Sequence, residues 1–148
     1  MHRPAIILAM FAMLSASSVA QVTTPEQRVF VFGAEPELLF YAQRVSATRY
    51  IFLFPLYWPY RNAREKQIAA ADEIQGAAPA AAVYVPNDLF FNPGSDQYFT
   101  EWSLSYLEQN FYPDTWLIKG SPTVAQIMRA EPDSPAPERF LGAILVKK

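Results

Sequence analysis

The sequence predicts an α/β fold, a single three-layer Rossmann-like domain with a mainly parallel sheet and antiparallel C-terminal strands. Three observations predict it. Apolar runs rich in β-branched and aromatic residues stop at Gly33, Pro55 and Pro86. Residues at helical spacing fill the intervals between those runs. Beyond Asn110 the pattern changes to strand-like segments separated by turns. Alternating strands and helices imply right-handed crossovers and helices on both sheet faces. At 148 residues, 51% hydrophobic and 15% aromatic, the chain has material for one buried core.

The elements follow in order. Residues 1–20 read as a signal peptide, or alternatively an N-terminal anchor. His2 and Arg3 make a polar start, Ala5 to Leu14 is an apolar run, and Ser18-Val19-Ala20 has small residues where a peptidase cuts. The apolar stretch is short of the ~20 residues that span hydrocarbon, which favours the cleaved leader. A third reading is the ragged end of a longer gene. Residues 21–148 form the single α/β domain.

Arg28 to Gly33 is a strand without alternation, as expected where both faces are covered. Glu35-Pro36-Glu37 places Pro and acids at the start of a short helix, Leu38 to Gln43. Thr48 to Pro55 reads as a second strand, and Leu56 to Arg61 as an aromatic loop. Asn62 and Glu65 have capping-box spacing for a helix to Gln75 with an Ile68, Ala71, Ile74 stripe. Ala81 to Pro86 is the third strand and Asn87 to Gly94 a loop. Ser95 or Asp96 caps a helix to Asn110, with Phe99, Trp102 and Tyr106 on one core-facing side. Thr115 to Lys119, Thr123 to Met128 and Phe140 to Val146 are the tail strands, with turns at Gly120 to Pro122 and Glu131 to Pro137.

Composition excludes several kinds of chemistry. There is no Cys, and the single His is His2, so the body lacks the residues for His or Cys zinc sites, Ser-His-Asp triads or Cys nucleophiles. A net charge of −2 with scattered Lys and Arg argues against a nucleic-acid surface. Neither a glycine-rich dinucleotide fingerprint nor a Lys-bearing phosphate loop is present, and no cofactor or metal is expected.

In an open α/β sheet, ligands sit beyond the carboxyl ends of the strands. Three segments are expected there: Ala34 to Glu37, Leu56 to Arg61 and Pro86 to Asn92. They supply the candidate ligand-binding residues Glu35, Glu37, Tyr57, Trp58, Tyr60, Arg61, Asn87 and Asp88. Aromatic faces with a few polar groups suit a sugar or a lipid-linked phosphate. The competing reading is local: the acids sit on a helix N-terminus and the aromatics cover the sheet end. Arg49, at the start of the second strand, is expected to pair with a loop carboxylate as a structural ion pair, the alternative being a ligand contact. Glu35 with Asp88 is the one carboxylate pair to test for glycoside hydrolysis.

Arg28-Val-Phe-Val-Phe-Gly-Ala-Glu-Pro-Glu-Leu38, Ala47-Thr-Arg-Tyr-Ile-Phe-Leu-Phe-Pro-Leu56 and Arg61-Asn-Ala-Arg-Glu-Lys-Gln67 carry a resemblance. Ala82-Val-Tyr-Val-Pro-Asn87, Glu101-Trp102 and Tyr106-Leu-Glu-Gln-Asn-Phe111 extend it, so that it covers roughly Thr24 to Ile118. The chain resembles the extracytoplasmic C-terminal domain of family 39-type membrane glycosyltransferases, relatives of the dolichyl-phosphate-mannose protein mannosyltransferases. That family moves a sugar from a polyprenyl-phosphate donor, using an acid in a loop near its first membrane helices. No stretch of this sequence matches that loop, so no catalytic residue carries over. The resemblance implies a non-catalytic, exported, periplasmic accessory domain in contact with the membrane. Its partners would be a membrane glycosyltransferase subunit, a glycan or a polyprenyl-phosphate-linked sugar. The alternative is a truncated or split subunit of an active transferase.

Overall fold

The computed structural model describes residues 3–121 and 124–148. His2, Pro122 and Thr123, which the sequence reading placed in the leader, a turn and a strand start, lie outside the described residues.

Helix α1 (Arg3–Val22) leads into strand β1 (Arg28–Phe32), helix α2 (Glu37–Ala42) and the two-residue strand β2 (Val45–Ser46). Helices α3 (Phe54–Tyr57) and α4 (Ala63–Ala77), strand β3 (Ala81–Tyr84), a 3₁₀ turn (Asp88–Phe91) and helix α5 (Tyr98–Asn110) follow. Strands β4 (Phe111–Ser121), β5 (Val124–Arg129) and β6 (Phe140–Lys147) complete the chain. The six strands form one mixed sheet in the order β2-β1-β3-β6-β4-β5. β2, β1 and β3 are mutually parallel, whereas β6, β4 and β5 are antiparallel to their neighbours. The tail strands therefore make half of the sheet, and β6 enters its middle, between β3 and β4.

Strand periodicity sorts side chains onto two faces. Val29, Val31, Val83 and Ile144 meet Phe11, Ala16 and Val19 of α1 and Leu38, Leu39 and Ala42 of α2. Phe30, Phe32 and Ala82 meet Leu56 and Tyr57 of α3, Ala70 and Ile74 of α4, and Phe99 and Leu107 of α5. Phe30 and Phe32 are wholly buried, and burying each contributes about 2 kcal/mol. Coverage on both faces explains the missing alternation in β1, whose last four residues are all buried.

The segment expected to be a leader is helical through Val22, with Phe11, Ala12, Ser15, Ala16, Ser18 and Val19 buried. Its small residues let the helix lie close to the sheet. The Ser15 hydroxyl donates to the Phe11 carbonyl at 2.7 Å, which removes the cost of burying it. Among the described residues, no helix is long and apolar enough to cross a membrane.

Four local expectations are corrected, one of them the start of α5, where Gln97 and not Ser95 or Asp96 takes the cap position and makes no side-chain cap. Thr48 to Leu53 is not a strand: the Thr48 hydroxyl and the Arg49 amide donate to Glu73 of α4, at 2.7 and 3.0 Å. The segment then turns, exposing Ile51 and Phe52, and Pro55 opens α3. Asn62 begins α4 without a side-chain cap, so the capping box does not form. Ile68 is exposed, and the fourth-turn stripe is completed by Gln67, which is fully buried.

Candidate functional site

β1 and β3 run in parallel register, Val29 opposite Ala81 and Phe32 opposite Tyr84, so the segments after Phe32 and Tyr84 leave from one end of the sheet. A pocket of about 560 Å³ lies between the α3–α4 corner and the loop that enters α5. Tyr57, Trp58, Tyr60, Arg61 and Arg64 form one side, and Leu89, Asn92, Ser95 and Asp96 the other.

Gln67, buried behind the pocket, ties its walls together. From the middle of α4 its amide donates to the Leu56 carbonyl at 2.8 Å and to the Asp96 carbonyl at 3.0 Å, and it accepts the Phe99 N–H at 3.0 Å. One side chain therefore joins the three segments that shape the pocket. Tyr57 sets the wall from behind. Thr100 Oγ1 donates its only proton to the Phe90 carbonyl at 2.6 Å, so the Tyr57 hydroxyl must donate to Thr100, at 2.9 Å. Burial pushes the Tyr57 phenol far above its ordinary range. Tyr57 is thus a neutral structural group, with its ring against Phe90 at 4.9 Å.

The mouth is different. Trp58 and Tyr60 are 54% and 51% exposed, large apolar faces with no core to fill. Lys66 Nζ lies 5.2 Å from the Tyr60 ring centre, and the Arg64 guanidinium 4.9 Å from that of Tyr98. Arg64 also pairs with Asp96 at 3.1 Å, which neutralises the acid of the pocket. Arg61 is exposed and has no ion-pair partner among the described residues. Asn92 spends its carbonyl and side-chain oxygens on Ser95, Gln97 and Gly94, which leaves its amide N–H₂ available. The Trp58 indole N–H likewise has no protein acceptor among the described residues. The pocket is therefore aromatic-walled and rich in donors, the complement of a ligand rich in oxygen acceptors.

The other expected residues lie elsewhere. Glu35 turns back on its own loop, where Oε2 accepts the Ala34 N–H at 2.7 Å beside Gly33 and Val85. Burial pushes its carboxyl above the usual range, against that hydrogen bond and helped by the charge of Glu37. Glu37 occupies the first turn of α2. Asn87 caps the 3₁₀ turn by accepting the Leu89 N–H at 3.0 Å. Asp88 borders a neighbouring shallow groove with Phe91 and Pro93. The site thus gathers Tyr57, Trp58, Tyr60 and Arg61, while Glu35, Glu37, Asn87 and Asp88 do not line it. Arg49 pairs with Glu73, as an ion pair that ties the turn to α4.

Arg64, Asn92, Ser95 and Asp96 were not among the expected ligand-binding residues, although Asn92 closes one of the three expected segments and Ser95 or Asp96 was read as a helix cap. Arg64 had a legible signal, since it stands in the first turn of the helix expected to open at Asn62, directly after the aromatic loop. Asp96 had none, because its place depends on how the loop folds back over Gln67. A second cleft of about 720 Å³ lies between the start of β4, the end of β5 and the Pro-rich loop. Its Asp114 is taken up by Arg129 at 3.0 Å, so size alone does not make it the better candidate. No three potential metal-ligating side chains come together among the described residues.

Comparison with models of protein families, with curated proteins and with solved structures found no match to this chain.

Proposed function

We propose that the chain is a non-catalytic extracytoplasmic accessory domain that binds a glycan or a polyprenyl-phosphate-linked sugar beside a membrane glycosyltransferase. One observation carries the reading: an aromatic-walled pocket whose free groups are hydrogen-bond donors and an unpaired Arg61. Sugar rings stack on exposed aromatic faces, and a phosphate or a cluster of hydroxyls accepts from Arg, Asn and indole N–H groups. The pocket's carboxylate is already paired, so proton transfer to a leaving group has no free acid beside Arg61. The reading takes the fold as a three-layer Rossmann-like domain, supported by apolar clusters on the two sheet faces. Export is part of the proposal and rests on the apolar opening segment.

The test is titration calorimetry of the full chain with soluble oligosaccharides and with a short-chain polyprenyl-phosphate sugar. Trp58→Ala and Arg61→Ala should each weaken binding about tenfold or more, since each removes roughly 1.5–3 kcal/mol of contact. Both residues are exposed, so the melting temperature should stay within a degree or two. No binding by the wild-type chain to either ligand class would sink the reading.

A further inference from the structure

The opening segment reads as a leader, yet in the folded protein its contacts run straight across the expected cut. The buried positions Ala12, Ala16, Val19 and Thr23 recur at helical spacing on one side of the segment, while Met13, Ser17 and Ala20 face outward. The buried side does not stop at Ala20. Thr23 is 8% exposed and its hydroxyl donates to the Val19 carbonyl at 2.7 Å. Arg44, in the turn after α2, then closes the helix end. Its guanidinium donates to the Ala20 carbonyl at 3.3 Å, the Thr23 carbonyl at 2.7 Å and the Thr23 hydroxyl at 2.8 Å. A cation on the last carbonyls of a helix satisfies groups that have no partner inside it and complements the dipole.

Beneath α1 lie Val29, Val31, Val83, Leu117, Ala125 and Ile144. These are apolar side chains from both halves of the sheet. Loss of residues 1–20 would leave this face to water and would leave Arg44 with a frayed end to hold.

We propose that residues 3–22 are a permanent structural helix of the mature protein, the cover of one sheet face, locked by Arg44, and are not removed after Ala20. The inference concerns processing and packing; it bears on the export part of the proposed function, which rests on the same segment, and is independent of ligand binding in the pocket.

The full-length gene is expressed in a bacterial host with its export machinery intact, and the purified folded protein is weighed by intact mass spectrometry. The expected mass is that of the chain from its first or second residue, in every cell fraction in which the folded protein occurs. Ala20→Phe, a change at an exposed position that blocks signal cleavage, should leave the mass pattern unchanged. Hydrogen exchange on the same sample should show the amides of 15–22 protected with the body of the sheet. Arg44→Ala should speed exchange over 19–23 by about tenfold, the loss of one charged hydrogen-bond set. A folded protein that begins at Gln21, or α1 amides that exchange at unprotected rates in wild type, would overturn the proposal.

Discussion

Glu35 is the acid whose surroundings most disfavour its charge. Its carboxyl is raised by burial and by Glu37, so the folded state holds the proton more tightly than the unfolded chain does. The stability this confers is fully present below the ordinary carboxyl value of 4.5 and is lost as pH rises through the raised folded value. Glu35→Gln keeps an oxygen to accept the Ala34 N–H and removes the charge. We expect the variant to melt higher than wild type at pH 7, with the difference shrinking toward pH 4, in thermal melts across that range. An equal offset at every pH would mean that the carboxyl is not the cause. Glu73 behaves oppositely: burial raises it, but the Arg49 amide, Thr48 and the Arg49 guanidinium together hold it below its usual range. At this scale the sequence was partly legible. The aromatic and cationic character of Tyr57 to Arg61 could be read directly, because side-chain type alone defines it. Gln67 could not: an amide inside a helix reads as solvent-facing until the carbonyls of Leu56 and Asp96 fold onto it.

Helices and strands were legible where their own residues decide them. β1, β3, α4 and α5 lie close to where apolar periodicity placed them. The segment Thr48 to Pro55 has the composition of a strand and forms none, because Glu73, twenty-four residues further on, captures Thr48 and Arg49. Long-range capture of this kind overrides β propensity. The end of α4 offers a test. Ala78 terminates the helix at φ 47°, the left-handed region where a Cβ is costly. Ala78→Gly should therefore stabilise the protein by about 1 kcal/mol, read as a rise of a few degrees in melting temperature. A fall would mean that the lost chain entropy outweighs the relieved strain.

Across the whole molecule, the order of strands was the part least open to sequence reading. Each tail strand was visible, but nothing in Phe140 to Val146 says that it pairs with β3 on one side and β4 on the other. Partner choice depends on which edges remain free after the earlier elements have docked. The seam is tight at Gly142, where a Cβ would come within 2.5 Å of the Tyr84 carbonyl and 3.2 Å of Val85. Gly142→Ala should destabilise the protein by roughly 2–3 kcal/mol, measured by urea denaturation, because backbone at this distance must move apart. A change below half a kcal/mol would show that the two halves of the sheet are free to shift.

The place of β6 also sets the order of events in time. The strand that joins the parallel half to the antiparallel half is made after all the others, so a chain emerging from the ribosome carries two unfinished half-sheets until residue 147 is free. Both halves expose bare pairing edges during that wait, and the α1 helix has only part of its seat to rest on. Assembly is then a late and concerted closure, which makes a chain cut short before Phe140 a greater hazard to this protein than to one built outward from its first hairpin.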